Sequence, residues 1–434
     1  MKRLAILAMS LVIVFSIAAV APAAAQEYVL VLQGARIHTL VDGDEGIENG
    51  VVVIRDGRIV AVGGPDTAIP AGARVIDVSG QHVYPGFFDA VTRLGLTEIG
   101  AVAVTSDFSE LGDNNPHLEA ATAVHPASEI IPVTRANGTT HAVAAPQGNG
   151  ISGQGSLIHL DGWTVEEMFV ENVYMVVRWP NLRTRGFDRA TFTAFNRSYA
   201  EAKEEYETSI ADLEAMLDTA RRYAASDVND DPTQRNFKLE ALGPVLSGDQ
   251  PMLISVNSER GIRDVIAFAE RNEVRVVIAG GREAWRIADE VAASGIPVIL
   301  GATQSLPSRE DDPYDAPYAA PGKLHAAGVQ FAISTFNASA ARTLPYEAAT
   351  AVPYGLPAEE ALRAITRYPA EILGVDADLG TVEAGKIANL FVSDGDPLDI
   401  ATQVTHVIIQ GRLIDPYDNK HDNSYRKYRA RPRR

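Results

Sequence analysis

A chain without cysteine must draw its chemistry from imidazoles, carboxylates, hydroxyls and cations. The histidines are His38, His82, His117, His125, His141, His159, His325, His406 and His421. None forms His-x-His or His-x3-His, the intervals that present two imidazoles to one metal ion from one element. His125 and His141 are placed to reach a strand end or a loop, yet structural roles are expected for all of them. No Gly-x-Ser-x-Gly elbow is present, and thiolate chemistry is excluded. Gly148-Asn149-Gly150-Ile151-Ser152-Gly153 fits G-x-G-x-x-G. A dinucleotide site needs a helix directly after that motif, to hold the phosphates at its N-terminus. Here Gly155-Ser156-Leu157-Ile158-His159-Leu160 alternates like a strand, so a tight glycine turn is the expectation.

Chemically suggestive residues cluster instead in Pro85-Gly86-Phe87-Phe88-Asp89-Ala90-Val91-Thr92-Arg93-Leu94-Gly95. An apolar strand delivers Asp89, and Arg93 follows it. This segment resembles the first metal-binding strand of the amidohydrolase superfamily, which normally reads Pro-Gly-hydrophobic-Ile-Asp-x-His-x-His. Val91 and Arg93 stand where the two histidines would be. Valine offers no lone pair, and arginine stays protonated, so neither coordinates a metal.

The elements around this segment support the same resemblance. Tyr28–Leu32 and Gly34–Thr39 are strand-like, and Gly50–Gly63 is a Val/Ile-rich run broken by Asp56-Gly57, a strong hairpin signal. A matching β-rich block returns over Gly385–Val392 and Val404–Arg412. The phrase Leu379-Gly380-Thr381-Val382-Glu383-Ala384-Gly385-Lys386-Ile387-Ala388-Asn389-Leu390 is similar to the superfamily's C-terminal signature. Between the two blocks, strand-like runs alternate with helical ones: Pro251–Val256, a helix near Ile262–Arg271, Val274–Ile278, a helix near Glu283–Ser294, Pro297–Leu300 and Val329–Ser334. Pro357–Leu373 reads as one closing helix. Alternation over this length implies parallel βα units and a (β/α)8 barrel. The expected fold is therefore α/β: a TIM barrel over residues 84–377, with a small composite β-sandwich from residues 26–83 and 378–415. A basic tail, 416–434, ends the chain. Ser198–Ala225 is a long charged helix, read either as an inserted lid or contact surface or as an extended barrel helix.

The resemblance implies a site at the C-terminal strand ends. There the superfamily places histidines, a carboxylated lysine or glutamate and an aspartate around Zn²⁺ or a similar ion, which activates water. After strand 5 this chain has Ser255-Val256-Asn257, after strand 6 Gly280, and after strand 8 Thr335. Lys238 is a loose candidate for strand 4. None of these is a first-choice ligand, so no metal or other cofactor is expected. The pocket candidates are Asp89, Arg93, Asn257, Arg282 and Thr335. Arg93 places a cation where the metal would lie, with a salt bridge to Asp89 or another carboxylate as the structural alternative.

Residues 1–25 read as an export signal: Lys2 and Arg3, an apolar run over Leu4–Val20, and a small-residue cleavage site after Ala25. A periplasmic or secreted location fits the missing cysteines. The formal net charge is −18, and cleavage removes two further cations. Nucleic acid and, after cleavage, membrane are therefore not expected as partners. A small ligand of anionic character is, with a homo-oligomer or a hetero-oligomer with an amidohydrolase paralogue as the assembly. The expected function is that of an exported superfamily member, of the class that hydrolyses non-peptide C–N bonds, with its metal ligands replaced and weak or no metal-dependent hydrolysis. The alternatives are a non-catalytic ligand-binding or partner subunit, and an active hydrolase with an unorthodox site.

Overall fold

Two eight-stranded sheets organise the chain, and one of them curls into a nearly closed barrel. The structure, a computed structural model, describes residues 28–432 apart from 44, 189–192 and 227–234. The export signal expected over residues 1–25 and the last two arginines of the tail lie outside the described residues.

The first sheet takes strands from both ends of the chain. Its N-terminal members are β1 (Val29–Ile37), β2 (Ile47–Arg55), β3 (Arg58–Gly63), β4 (Arg74–Asp77) and β5 (His82–Pro85). Asp56 and Gly57 join β2 to β3 with φ of 49° and 80°. That pair of left-handed residues is the turn the Asp-Gly dipeptide favours, because its twist matches that of the strands. β16 (Leu390–Ser393), β17 (Val404–Ile409) and β18 (Arg412–Ile414) complete the sheet. β16 pairs antiparallel with β5, setting Leu390 opposite Pro85 and Val392 opposite Val83. Leu30, Leu32, Val52, Ile54, Leu390, Val392 and Ile408 form one buried apolar layer here.

The barrel strands are β6 (Phe87–Thr92), β7 (Thr139–Ala144), β8 (Ile151–His159), β9 (Phe169–Arg178), β12 (Met252–Val256), β13 (Val276–Gly280), β14 (Val298–Leu300) and β15 (Phe331–Ile333), neighbours in that order. A short hairpin, β10 (Arg185–Asp188) and β11 (Thr193–Asn196), lies between β9 and β12. The barrel differs from the expected all-parallel ring. β8 runs antiparallel to both β7 and β9, so β7, β8 and β9 form a meander. The Gly148–Gly150 stretch is the turn of its first hairpin, and a strand follows it, as the alternation in the sequence indicated.

The helices are α1 (Ile130–Arg135), α2 (Val165–Met168), α3 (Tyr199–Ala224), α4 (Phe237–Glu240), α5 (Gly243–Ser247), α6 (Glu259–Asn272), α7 (Ala288–Ser294), α8 (Ala316–Ala326), α9 (Leu344–Ala351), α10 (Ala358–Arg363), α11 (Arg367–Leu373) and α12 (Lys420–Arg429). Ser198 and Glu201 form a capping box that starts α3. α3 is fastened to the outer layer of the barrel: Trp179 Nε1 donates to Tyr206 Oη at 2.9 Å, and Tyr206 Oη donates to Asp264 of α6 at 2.6 Å. It is thus the crossover helix between β9 and β12, the extended-barrel-helix reading of the two. The single closing helix expected over Pro357–Leu373 is broken into α10 and α11. The reason is tertiary: the carbonyls of Ala364 and Ile365 accept from Ile333 N at 2.9 Å and Phe88 N at 2.7 Å. Those oxygens serve the seam between β15 and β6 and cannot serve a helix. The tail forms α12, capped by Asn419 and buried at no residue.

Alternation fixes which side chains fill the barrel. Phe88, Val143, Leu157, Tyr174, Val176, Leu253, Val277, Ala279, Ile299 and Ala332 share one buried cluster, while Met175, Val177, Ile254, Ile278 and Val298 pack in the surrounding layer. Tyr174 spans the interior and donates to Ala90 O at 2.9 Å.

Candidate functional site at the barrel mouth

Asp89 lies at the seam where the barrel closes. It is fully buried in β6. Ser334 and Thr335, just past β15, both direct their hydroxyls at its carboxylate, and Thr335 N donates to Oδ1 at 3.0 Å. Burial pushes Asp89 up to about 6, against the opposing pull of those donors. Both oxygens therefore serve the fold. Thr335, itself only 3 % exposed, follows the eighth barrel strand, where the resemblance implies an aspartate. The sequence brought these two candidates onto one list, and the structure brings them into contact.

Arg93 forms no bridge to Asp89, contrary to the structural alternative. Its guanidinium lies over the Phe108 ring, 4.9 Å from the centroid, and its Nε is buried without a hydrogen-bond partner. Burial lowers its ordinary value, yet an arginine remains a cation. Val91, 6 % exposed, packs into the barrel-interior cluster. Phe336, whose φ of 55° is strained for an aromatic residue, donates its N–H to Val91 O at 2.9 Å and packs against the same cluster. Apolar side chains thus fill the floor of the mouth beneath Arg93.

The remaining candidates separate. Ser255 and Asn257 are both exposed at the end of β12. Ser255 lies on the same strand face as Leu253, so it points to the mouth, and Asn257 lies one step beyond the strand. Gly280, the last residue of β13, has φ of 90°, and a Cβ there would stand 2.5 Å from Asn257 Oδ1. Arg282 lines a small hollow with Gly280, Leu300 and Thr303 at the ends of β13 and β14. Its Nη2 donates to Ser305 Oγ at 3.1 Å and Leu306 O at 2.9 Å, pinning the loop after β14. Glu283, read in the sequence as the start of a helix, is a buried anchor for that same loop. It receives Arg309 in a two-pronged ion pair at 2.7 and 2.6 Å. Lys238 lies on α4, not at the end of strand 4, and its Nζ reaches Asn114 O at 2.9 Å.

The residue at the end of the fourth barrel strand is Arg178, which sequence reasoning missed. Tyr174 and Val176 face the barrel interior, so alternation aims Arg178 the same way, paired in register with Ser255. It is exposed, and no hydrogen bond or ion pair engages its side chain among the described residues. The signal was the alternation within Phe169–Arg178 itself.

The buried histidines lie elsewhere. His141 and His159 face each other across β7 and β8. Asn389 meets His159 Nδ1 at 3.0 Å, and Thr140 Oγ1 meets His141 Nδ1 at 2.7 Å. Burial holds His141 well below its ordinary value and His159 at about 4. Both are neutral structural groups.

A hollow of about 710 Å³ lies at the opposite end of the barrel, lined by Pro251, Arg275, Pro297 and Gln330 at the strand starts. It is remote from the catalytic face of this fold.

The amidohydrolase family model matches residues 315–414. Amidohydrolase tasK of Hapsidospora irregularis is 24% identical over 402 residues, covering 85% of this chain and 39% of its own length, so this chain spans well under half of that relative. An imidazolonepropionase of Maricaulis maris is 26% identical over 424 residues, covering 88% of this chain and 97% of itself. The crystal structure of an amidohydrolase from Thermotoga maritima superposes with a TM-score of 0.76, at 24% identity over 89% of this chain and 99% of that one. Over most of its length the chain is similar to amidohydrolases, and it shares their fold. An amidohydrolase fold implies a divalent metal at the strand ends, and the residues present do not fit one. Val91 is apolar, Arg93 is cationic, Gly280 has no side chain, and Asp89 is saturated by Ser334 and Thr335. No group of three or more His, Cys, Asp or Glu among the described residues is placed to hold a metal ion.

Proposed function

We propose that this protein is an exported amidohydrolase-superfamily member whose barrel mouth binds a small anionic ligand, and that it does not perform metal-dependent hydrolysis of C–N bonds. One observation carries the reading. Arg93, a permanent cation with a buried, unpartnered Nε, stands at the strand end where the superfamily has a metal-ligating imidazole. A fixed positive charge replaces a bound one, and its natural complement is an anion. Two parallel N–H donors to a carboxylate give geometric selectivity as well as affinity. The apolar floor of Val91 and Phe336 removes water from one side of such a contact, which strengthens it. Without a metal-activated water, binding is not followed by hydrolysis.

Thermal unfolding in the presence of acetate, propionate, benzoate and phosphate, at constant ionic strength, tests this reading. Binding to the native state raises the unfolding temperature by mass action. At least one of these anions is expected to stabilise the protein, and the effect should vanish in Arg93→Gln. No stabilisation by any anion, or stabilisation that persists in Arg93→Gln, would overturn the proposal.

A further inference from the structure

We infer that Arg178 is the second half of the same site, and that the site takes a dianion: a short dicarboxylate or a phosphate group. This rests on the anion-binding reading of Arg93 and extends it to a residue on a different strand.

The two arginines flank one structural element. Phe108, on which the Arg93 guanidinium lies, accepts from Gln147 N through its carbonyl at 2.7 Å. Gln147 begins the glycine-rich turn between β7 and β8. Gly150 ends that turn, and its carbonyl accepts from Arg178 N at 2.8 Å. Arg93 and Arg178 therefore stand on either side of the 147–150 turn, at the same end of the barrel. The turn needs its glycines: Gly150 has φ of 55°, and a Cβ there would run into Asn114 Oδ1, which accepts from Ile151 N at 3.0 Å. These contacts hold the turn that lies between the two strand ends.

Arg178 is a spare cation on an acidic chain. Other arginines of the barrel loops have assigned work: Arg282 pins the loop after β14, Arg309 meets Glu283, and Arg286 meets Asp312. Arg178 has no such partner among the described residues, and neither does Arg93. Two guanidiniums without an acidic partner, at the same end of the barrel, raise the local concentration of anions, and they favour two negative charges over one. The exposed Ser255 hydroxyl, paired in register with Arg178, adds a neutral donor beside it.

Isothermal titration of the full mature chain separates the two claims. Acetate and butyrate serve as monoanions, succinate and glutarate as dicarboxylates, and inorganic phosphate at pH 8 as a compact dianion. At least one dianion should bind ten-fold or more tightly than the monoanions. Arg178→Gln should remove that advantage, weakening dianion binding far more than monoanion binding, while Arg178→Lys should retain part of it. Preference for phosphate alone would identify a compact dianion, and preference for one dicarboxylate would report the separation of the two cations; either supports the inference. Equal affinity for monoanions and dianions, or dianion binding unchanged in Arg178→Gln, would overturn it while leaving Arg93-dependent binding intact. No binding of any anion would overturn both readings.

Discussion

Thr335 and Asp89 join the last barrel strand to the first: the Thr335 N–H donates to Asp89 Oδ1 at 3.0 Å, and the Thr335 hydroxyl closes on Oδ2. In the superfamily the corresponding strand-8 position carries an aspartate that works on the metal-bound water. Here that position supplies donors, and the carboxylate of the first strand accepts them. The pair holds the barrel closed.

Asp89→Ala should therefore destabilise the protein by about 2–4 kcal/mol, because it leaves buried donors without an acceptor. Asp89→Asn should cost less at neutral pH. Its cost should depend on pH with a definite sign. The folded carboxyl is raised to about 6 from an ordinary 3.8, so the stabilisation it contributes is full below 3.8 and is lost as pH rises through 6. The advantage of the wild type over Asp89→Asn should shrink by roughly 3 kcal/mol between pH 4 and pH 7. Urea unfolding of both proteins across that range measures it; a constant difference would contradict the burial argument.

The buried imidazoles act in the opposite sense. His159 is held at about 4 from an ordinary 6.5. The folded state keeps it neutral while the unfolded chain takes up a proton. The stabilisation is full above 6.5 and is lost as pH falls through the folded value, by roughly 3 kcal/mol. His159→Gln, which can still bond Asn389, should flatten the acid limb of the stability profile between pH 6.5 and pH 4. An acid limb unchanged in this variant would place the acid sensitivity elsewhere.

Gly280 should resist the substitution that the superfamily pattern invites. Its φ of 90° and the 2.5 Å approach of Asn257 Oδ1 to a Cβ predict that Gly280→Ala costs about 1–3 kcal/mol. Gly280→His should cost at least as much, so a metal site is not restored by replacing side chains alone. Thr335→Asp would add a second carboxylate against Asp89, a repulsion that worsens the same design. Denaturant midpoints of the single variants check both statements; a neutral Gly280→Ala would show that the turn can relax.

Much of the fold was legible in the sequence, and the reasons are local. The Asp56-Gly57 turn, the strand-like ends and the alternating βα runs after residue 250 each state their structure within a few residues. The direction of β8 was not legible, because a period of two is the same read either way. The break between α10 and α11 was not legible either, because the carbonyls of Ala364 and Ile365 are claimed by Ile333 and Phe88, partners distant or far distant in the chain. The site divides along the same line. Asp89 and Thr335 could be named from their places in a resembling strand, and Arg93 from its substitution. The partners of Arg282, Ser305 and the Leu306 carbonyl, lie on a distant loop and were not legible. Arg178 was missed because the fourth strand was not identified, although its alternation was in view.

The central claim is that the strand ends have exchanged a bound cation for a built-in one. Elemental analysis of the purified mature protein, after exposure to zinc, manganese and iron salts and dialysis against a chelator, tests it most directly. The account predicts well under one equivalent of any transition metal, in the wild type and in Arg93→Gln alike. One or more equivalents retained by the wild type would contradict it.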